Sequence, residues 1–114
     1  MPSVDDFKRA MVVIAHPDDA EWGCSASVAK WCRLGWDVIY VLCTDGSKGT
    51  DDRTITPEKL AEIRAKEQIN AGKTLGLTNV EFLGYPDGYL EPTLDVRKDI
   101  SRQIRKWKPD VLIT

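Results

Sequence analysis

The chain has 114 residues, which is enough for one hydrophobic core and one domain. Apolar residues make up 42% and charged residues 30%, as in an ordinary globular domain. The net charge is −2, and neither charge sign forms a long run, so the basic stripe of a nucleic-acid-binding protein is excluded. A continuous apolar run of membrane-spanning length is also missing, which predicts no membrane span.

The N-terminus is acidic and lacks the basic start and apolar run of a signal peptide, so the expected location is the cytoplasm. The chain has three cysteines, and no two of them form a C-x-x-C pair. They are interpreted as small apolar side chains in a reducing compartment rather than as a disulfide or a sulfur metal site.

The first part of the sequence predicts a strand, a helix and a second strand. Residues 11–15 form a short β-branched apolar run that is typical of a strand covered on both faces. A helical pattern follows over about residues 21–34 and ends at Gly35. The apolar residues near one stripe of this helix are Trp22, Ala26, Ala29 and Leu34. Residues 38–43 predict the second buried strand, and residues 44–52 form a polar loop.

The second part repeats this alternation. Thr56 as N-cap and Pro57 at the first helical position predict a helix that ends near Leu75, with Gly76 as its cap. Residues 80–83 predict a third strand and residues 84–88 a loop. A third helix has one apolar face, formed by Val96, Ile100, Ile104 and Trp107. Pro109 ends that helix, and residues 110–114 open a fourth strand.

This β-α-β-α-β-α-β order predicts an α/β fold with a Rossmann-like parallel sheet and helices on both faces. With strand order 3-2-1-4, the ligand crevice opens between strands one and four, just after Ala15 and just after Thr114. Because the sequence stops on the predicted fourth strand, residues 1–114 are interpreted as the N-terminal part of a single larger domain.

One imidazole and two carboxylates follow the first strand, in the run His16-Pro17-Asp18-Asp19. Pro17 fixes its own φ and restricts His16 to extended geometry. Adjacent side chains in a turn diverge, so one aspartate could bind a metal with His16 while the other faces a metal-bound water. Imidazole and carboxylate ligands suit Zn²⁺. The alternative is that either aspartate only caps the helix that follows.

The run from Ala15 to Glu21 closely resembles the signature of the PIG-L/LmbE-like N-acetylglucosaminyl deacetylases, and element order and secondary motifs agree over nearly all 114 residues. The resemblance implies a zinc-dependent hydrolase that removes the acetyl group from an N-acetylglucosaminyl conjugate or a related amide. It also implies that His16 and Asp19 bind one Zn²⁺ and that Asp18 is the general base. The implied partner is a small-molecule sugar conjugate.

Three further features resemble the family and have simpler interpretations. Thr44-Asp45-Gly46 resembles a family loop beside the site, or is a plain turn. Arg64 resembles a substrate-contacting arginine, or is a charge that flanks an apolar stripe. Asp87 resembles a loop aspartate that binds sugar hydroxyls, or is the aspartate of a Pro-Asp-Gly turn. Glu21 could simply complement the helix dipole.

The sequence departs from the family in its histidines. His16 is the single histidine of the chain, whereas the family takes its third zinc ligand from a histidine after strand four. That ligand is therefore expected beyond Thr114, and the 114 residues alone are expected to be inactive; the alternative is that the chain is naturally short and inactive. The alternative function is a non-catalytic domain of the same fold that binds a sugar conjugate. A dinucleotide is disfavoured because no G-x-G-x-x-G follows strand one, and a metallophosphatase would need more ligands.

Overall fold

The computed structural model describes residues 3–114, which form a single sheet with helices packed on it. After a short 3₁₀ turn at Val4–Asp6, strands and helices alternate along the chain. The elements are β1 (Arg9–Ile14), α1 (Asp19–Arg33), β2 (Asp37–Thr44), α2 (Pro57–Leu75), β3 (Asn79–Tyr85), α3 (Leu94–Trp107) and β4 (Val111–Ile113). Within the described residues, no helix is both long and apolar enough to cross a bilayer.

The four strands are parallel and lie in the order β3-β2-β1-β4, which confirms the predicted topology. β1 pairs with β2 from Arg9 opposite Asp37 to Ile14 opposite Leu42. On its other side β1 pairs with β4. The chain order therefore reverses between β1 and β4, and the carboxyl ends of these two strands border the crevice in which such sheets bind ligands.

Side chains that alternate along the central strands build two cores. One core contains Val12, Tyr40 and Leu42, and half-buried residues of α1 and the end of α2 pack against it. The other contains Met11, Ile39 and Val41 and packs against α3. The sheet thus has helices on both faces, as predicted. Because the central strands are covered on both sides, their sequences are nearly continuous apolar runs.

The three cysteines behave as the small apolar residues that the sequence predicted. Within residues 3–114 all three are free thiols; Cys43 is buried and the other two are half-buried. Burial raises the pKa of the Cys43 thiol, which keeps it in the unreactive protonated form.

The predicted buried stripe of α1 is wrong. Trp22 is 91% exposed and Leu34 is 65% exposed, whereas Ala20 and Val28 are buried. Ala20, the half-buried Cys24 and Val28 follow one another at a spacing of four, across the non-helical torsions of Cys24 (φ −148°, ψ 17°), and they lie on the side opposite Trp22. A stripe extrapolated with a constant 3.6-residue period from Trp22 therefore points away from the core.

The ends of α2 agree with the prediction. The Thr56 hydroxyl accepts a hydrogen bond from the Lys59 N–H, and Pro57 occupies the first helical turn. Gly76 ends the helix with φ 88°, a left-handed conformation that favours glycine. The predicted face of α3 is also confirmed, since Val96 is buried and Ile100, Ile104 and Trp107 pack on the sheet.

The corrected orientation of α1 gives a matched stability test. We expect Leu42→Ala to lower the free energy of unfolding by about 2–5 kcal/mol, because this residue is fully buried on a central strand. The same change at the exposed Leu34 should alter it by less than about 0.5 kcal/mol. Urea unfolding of both variants measures the difference, and equal losses would contradict the exposed placement of Leu34.

Candidate active site

The His16–Asp19 turn follows the carboxyl end of β1 directly. The Asp19 carboxylate accepts a hydrogen bond from the His16 backbone N–H at 2.9 Å. Its Oδ2 also lies 3.4 Å from Nδ1 of the His16 ring. Both side chains are about half exposed, so an imidazole nitrogen and a carboxylate oxygen stand side by side and remain accessible to a ligand.

Asp18 occupies the N-cap position of α1, but its side chain makes no capping hydrogen bond to the described residues. Its backbone carbonyl accepts from the Trp22 N–H, while its carboxylate pairs with Arg64 at 3.0 Å. Arg64 also donates to the Pro17 carbonyl at 3.3 Å. The simple capping interpretation therefore does not account for the Asp18 carboxylate, which is turned toward α2.

Asp87 lies on the opposite side of the His16 ring from Asp19. Its Oδ1 is 3.1 Å from His16 Nε2, and its side chain is only 10% exposed. The second oxygen accepts from the Lys48 N–H at 3.0 Å. The Asp87 N–H donates to the carboxylate of Asp45 at 3.2 Å. His16 is thus placed between two carboxylates, one at each ring nitrogen.

The Thr44-Asp45-Gly46 loop lies beside this turn, as the sequence predicted. The Thr44 hydroxyl donates to the Ala15 carbonyl at 2.7 Å. Gly46 has φ 68°, and a Cβ there would come within 3.1 Å of the Pro17 ring and 3.2 Å of Arg64 Nε. Glycine is required here for both backbone conformation and space.

Asp45 makes this loop sensitive to acid. Partial burial acts to raise the pKa of its carboxyl, but hydrogen bonds from Ser47 and from the Asp87 N–H outweigh burial and hold the pKa below its usual 3.8. A folded-state pKa below the unfolded value means that Asp45 stabilises the fold above about pH 4. That contribution is lost as the pH falls through the folded-state pKa.

We therefore expect Asp45→Asn to be less stable than the wild type at pH 7 and to lose less further stability between pH 5 and pH 3. Thermal unfolding midpoints of the two proteins across this range measure the effect. Parallel curves would contradict the stabilising role of the Asp45 carboxylate.

Gln68 is a site residue that the sequence analysis missed. Its side chain is fully buried, its carbonyl oxygen accepts from the Asp18 N–H at 3.2 Å, and its amide donates to Glu21. A signal was available in the helical spacing of four that Leu60, Arg64, Gln68 and Gly72 share. That spacing puts Gln68 on the α2 face that carries Arg64.

A crevice of about 530 Å³ opens where β1 and β4 end. Ile14, Ala15 and Asp19 line one side, and Ile113 and Thr114 line the other. This volume suits a small-molecule ligand. Among the described residues, no group of three His, Cys, Asp or Glu side chains is arranged to hold a metal ion.

The fold and the site together define a class, namely Rossmann-like α/β domains with a histidine and two carboxylates at the switch point of the sheet. The chain belongs to the PIG-L family, described as GlcNAc-PI de-N-acetylase, whose sequence profile matches residues 11–114.

Diacetylchitobiose deacetylase of Thermococcus kodakarensis is 35% identical over 109 residues, which are 96% of this chain and 41% of that protein. The solved structure of N,N'-diacetylchitobiose deacetylase from Pyrococcus horikoshii is 36% identical with a TM-score of 0.92, covering 95% of this chain and 40% of that one. A 4-carboxy-2-hydroxymuconate hydratase from Pseudomonas putida shares the fold, with a TM-score of 0.84 at 24% identity over 92% of this chain and 45% of that one. The chain therefore spans about two fifths of the length of these relatives.

Proposed function

We propose that residues 1–114 form the N-terminal part of a single deacetylase domain that hydrolyses the acetamide of an N-acetylglucosaminyl conjugate with the help of a bound Zn²⁺. The observation that carries this proposal is the separate fixation of His16, Asp18 and Asp19 on the turn after β1, beside a crevice that Asp19 lines. The relatives from Thermococcus and Pyrococcus are diacetylchitobiose deacetylases, which supports the same reaction class.

The residues present fit a zinc ion. Tetrahedral zinc with ligand bonds of about 2.0–2.2 Å places two donor atoms about 3.3 Å apart. His16 Nδ1 and Asp19 Oδ2 are 3.4 Å apart. The other ring nitrogen faces the Asp87 carboxylate, the arrangement that orients metal-binding histidines in proteins. His16 and Asp19 would hold the ion, and we predict a third protein ligand from residues beyond Thr114.

Asp18 is the proposed general base. Its carboxylate takes a proton from the attacking water as the new C–O bond forms at the acetamide carbonyl. The same carboxyl group then returns the proton to the nitrogen as the C–N bond breaks, which yields acetate and a free amine. When bound, zinc would supply Lewis-acid polarisation of the carbonyl oxygen. The ion pair with Arg64 holds the Asp18 carboxylate in one orientation for both proton transfers.

The substrate is proposed to be a small sugar conjugate. The crevice has the size of a small-molecule site, and a net charge of −2 does not favour binding of a polyanionic nucleic acid. Arg64 and Asp87 remain the predicted contacts for substrate hydroxyl groups. In the structure they also hold Asp18 and His16, so they connect substrate binding with the geometry of the reacting groups.

The proposal is tested on the intact gene product, including any residues that follow Thr114. Release of free amine from N-acetylglucosamine and from N,N'-diacetylchitobiose is measured as purified, after chelation, and after addition of zinc. We expect turnover that chelation abolishes and zinc restores. Binding of these sugars without turnover under all three conditions would favour the non-catalytic alternative and reject the proposal.

A further inference from the structure

Helix α2 holds Asp18 through two residues that lie one turn apart. Arg64 pairs with its carboxylate at 3.0 Å, and Gln68 accepts a hydrogen bond from its backbone N–H at 3.2 Å. The side chain and the backbone of the proposed base are therefore fixed separately, both from the same helix face. Gln68 differs from Arg64 in being fully buried.

The backbone of Asp18 needs such support. Asp18 has φ 76° and ψ −14°, a left-handed conformation that non-glycine residues adopt only where surrounding contacts impose it. This conformation turns the carboxylate away from the capping position and toward Arg64. The Gln68 carbonyl oxygen contacts the amide of that same residue, so it stabilises the turn at the point of strain.

The other end of the Gln68 side chain is also fixed. Its amide donates to Oε1 of Glu21, one turn into α1, which determines which end of the Gln68 amide faces Asp18. Oε2 of Glu21 is buried and has no hydrogen-bond partner among the described residues. A buried carboxylate oxygen without a hydrogen bond costs free energy of folding. The other oxygen of Glu21 orients the Gln68 amide. Glu21 therefore does more than complement the helix dipole.

We propose that Gln68, oriented by Glu21, is a positioning residue that holds the Asp18 turn in the geometry required for proton transfer; this inference rests on the proposed function of Asp18. Within the described residues, the Gln68 side chain makes its hydrogen bonds to Asp18 and Glu21, and not to His16 or Asp19. Its loss should lower kcat and leave KM and the metal content unchanged, because only the placement of the base is altered.

The first variant is Gln68→Met, which keeps the length of the side chain and removes both hydrogen bonds. On the intact gene product we expect kcat to fall about 10- to 100-fold, with KM within about twofold of the wild type. Gln103→Met on α3 is the matched control and should retain wild-type kcat. A Gln68→Met protein with wild-type kcat would overturn the proposal.

An exchange of the two partners tests the role independently of stability. Gln68→Glu alone places two carboxylates against each other and should also lower kcat about 10-fold or more. The double variant E21Q/Q68E restores the pattern, because Glu at position 68 can accept from both the Asp18 N–H and the new amide at position 21. We expect it to recover kcat to within about threefold of the wild type. A double variant as slow as Q68E would overturn the proposal.

Hydrogen exchange of the Asp18 amide gives a readout that does not need catalysis. We expect its protection factor to fall at least about 10-fold in Gln68→Met and to return in E21Q/Q68E, with other α1 amides unchanged. If the wild type releases no amine, the proposed function fails while amide exchange still decides whether Gln68 holds the turn. Unchanged protection in Gln68→Met would overturn the positioning role by itself.

Discussion

Asp18→Asn in the intact gene product is expected to lower kcat for amide hydrolysis about a thousandfold while its zinc content stays at the wild-type level. Asparagine keeps the size of the side chain but cannot accept a proton from water or return it to the amine, and general acid–base groups contribute about 10²–10⁴-fold. Because Asp18 faces Arg64 and His16 pairs with Asp19, the proposed metal ligands are untouched. Amine release and metal analysis on the same preparation measure both quantities.

The control is Asp5→Asn, the same change on an exposed residue in the 3₁₀ turn, which should retain wild-type kcat. Arg64→Lys should give an intermediate kcat. The lysine ammonium keeps a positive charge near Asp18, but it lacks the planar guanidinium that donates to both the carboxylate and the Pro17 carbonyl. Full activity in Asp18→Asn would remove Asp18 from the proposed mechanism.

The sequence predicted most of the fold because its signals are local. Helix α2 begins and ends where Thr56-Pro57 and Gly76 predict, since caps and proline act within one turn of chain. Alternation and handedness predicted a parallel sheet with crossover helices, and the Rossmann-like order assumed for it is confirmed. The face of α1 was wrong because small residues occur on more than one side of this helix, and the predicted stripe started from Trp22, a large residue that is exposed, instead of from Ala20.

The sequence predicted which residues form the candidate site better than it predicted which atoms they contact. His16, Asp18 and Asp19 are adjacent in the sequence, so the motif alone brings them together. Gln68 and Arg64 approach the same turn from 46 or more residues away. Which atom of Asp18 each contacts depends on the depth of α2 against β1. A buried glutamine on a helix gives no chemical signal until its partners are known.

The three carboxylates around the motif have different surroundings. Asp19 faces one nitrogen of His16, Asp87 faces the other, and Asp18 faces Arg64. One imidazole cannot serve both aspartates in the same way, since a metal-binding nitrogen must be unprotonated while the other carries the proton. The structure thus predicts a graded response of metal affinity across these residues.

The expected differences in zinc affinity between variants of these residues are large. In the intact gene product we expect His16→Gln to weaken zinc binding by more than about 100-fold, because it removes a ligand. Asp87→Asn should weaken it about 10- to 100-fold, since the carboxylate that orients the ring is replaced by a neutral amide. Asp18→Asn should leave zinc affinity unchanged. Competition against a chromophoric chelator measures all three affinities without any need for turnover.

The order of these effects is the decisive observation, because each variant changes one atom or group on the same turn or loop. A loss in Asp87→Asn as large as in His16→Gln would make Asp87 a ligand rather than an orienting group. Equal zinc affinity in all four proteins would place the metal elsewhere and reject the assignment of His16. The buried position of Asp87 and its hydrogen bond from the Lys48 N–H keep its side chain in place in the asparagine variant. Because asparagine has one acceptor oxygen, keeping that hydrogen bond turns its NH2 group toward His16 Nε2, so the effect on zinc reports the loss of the charge and of the acceptor that faces the ring.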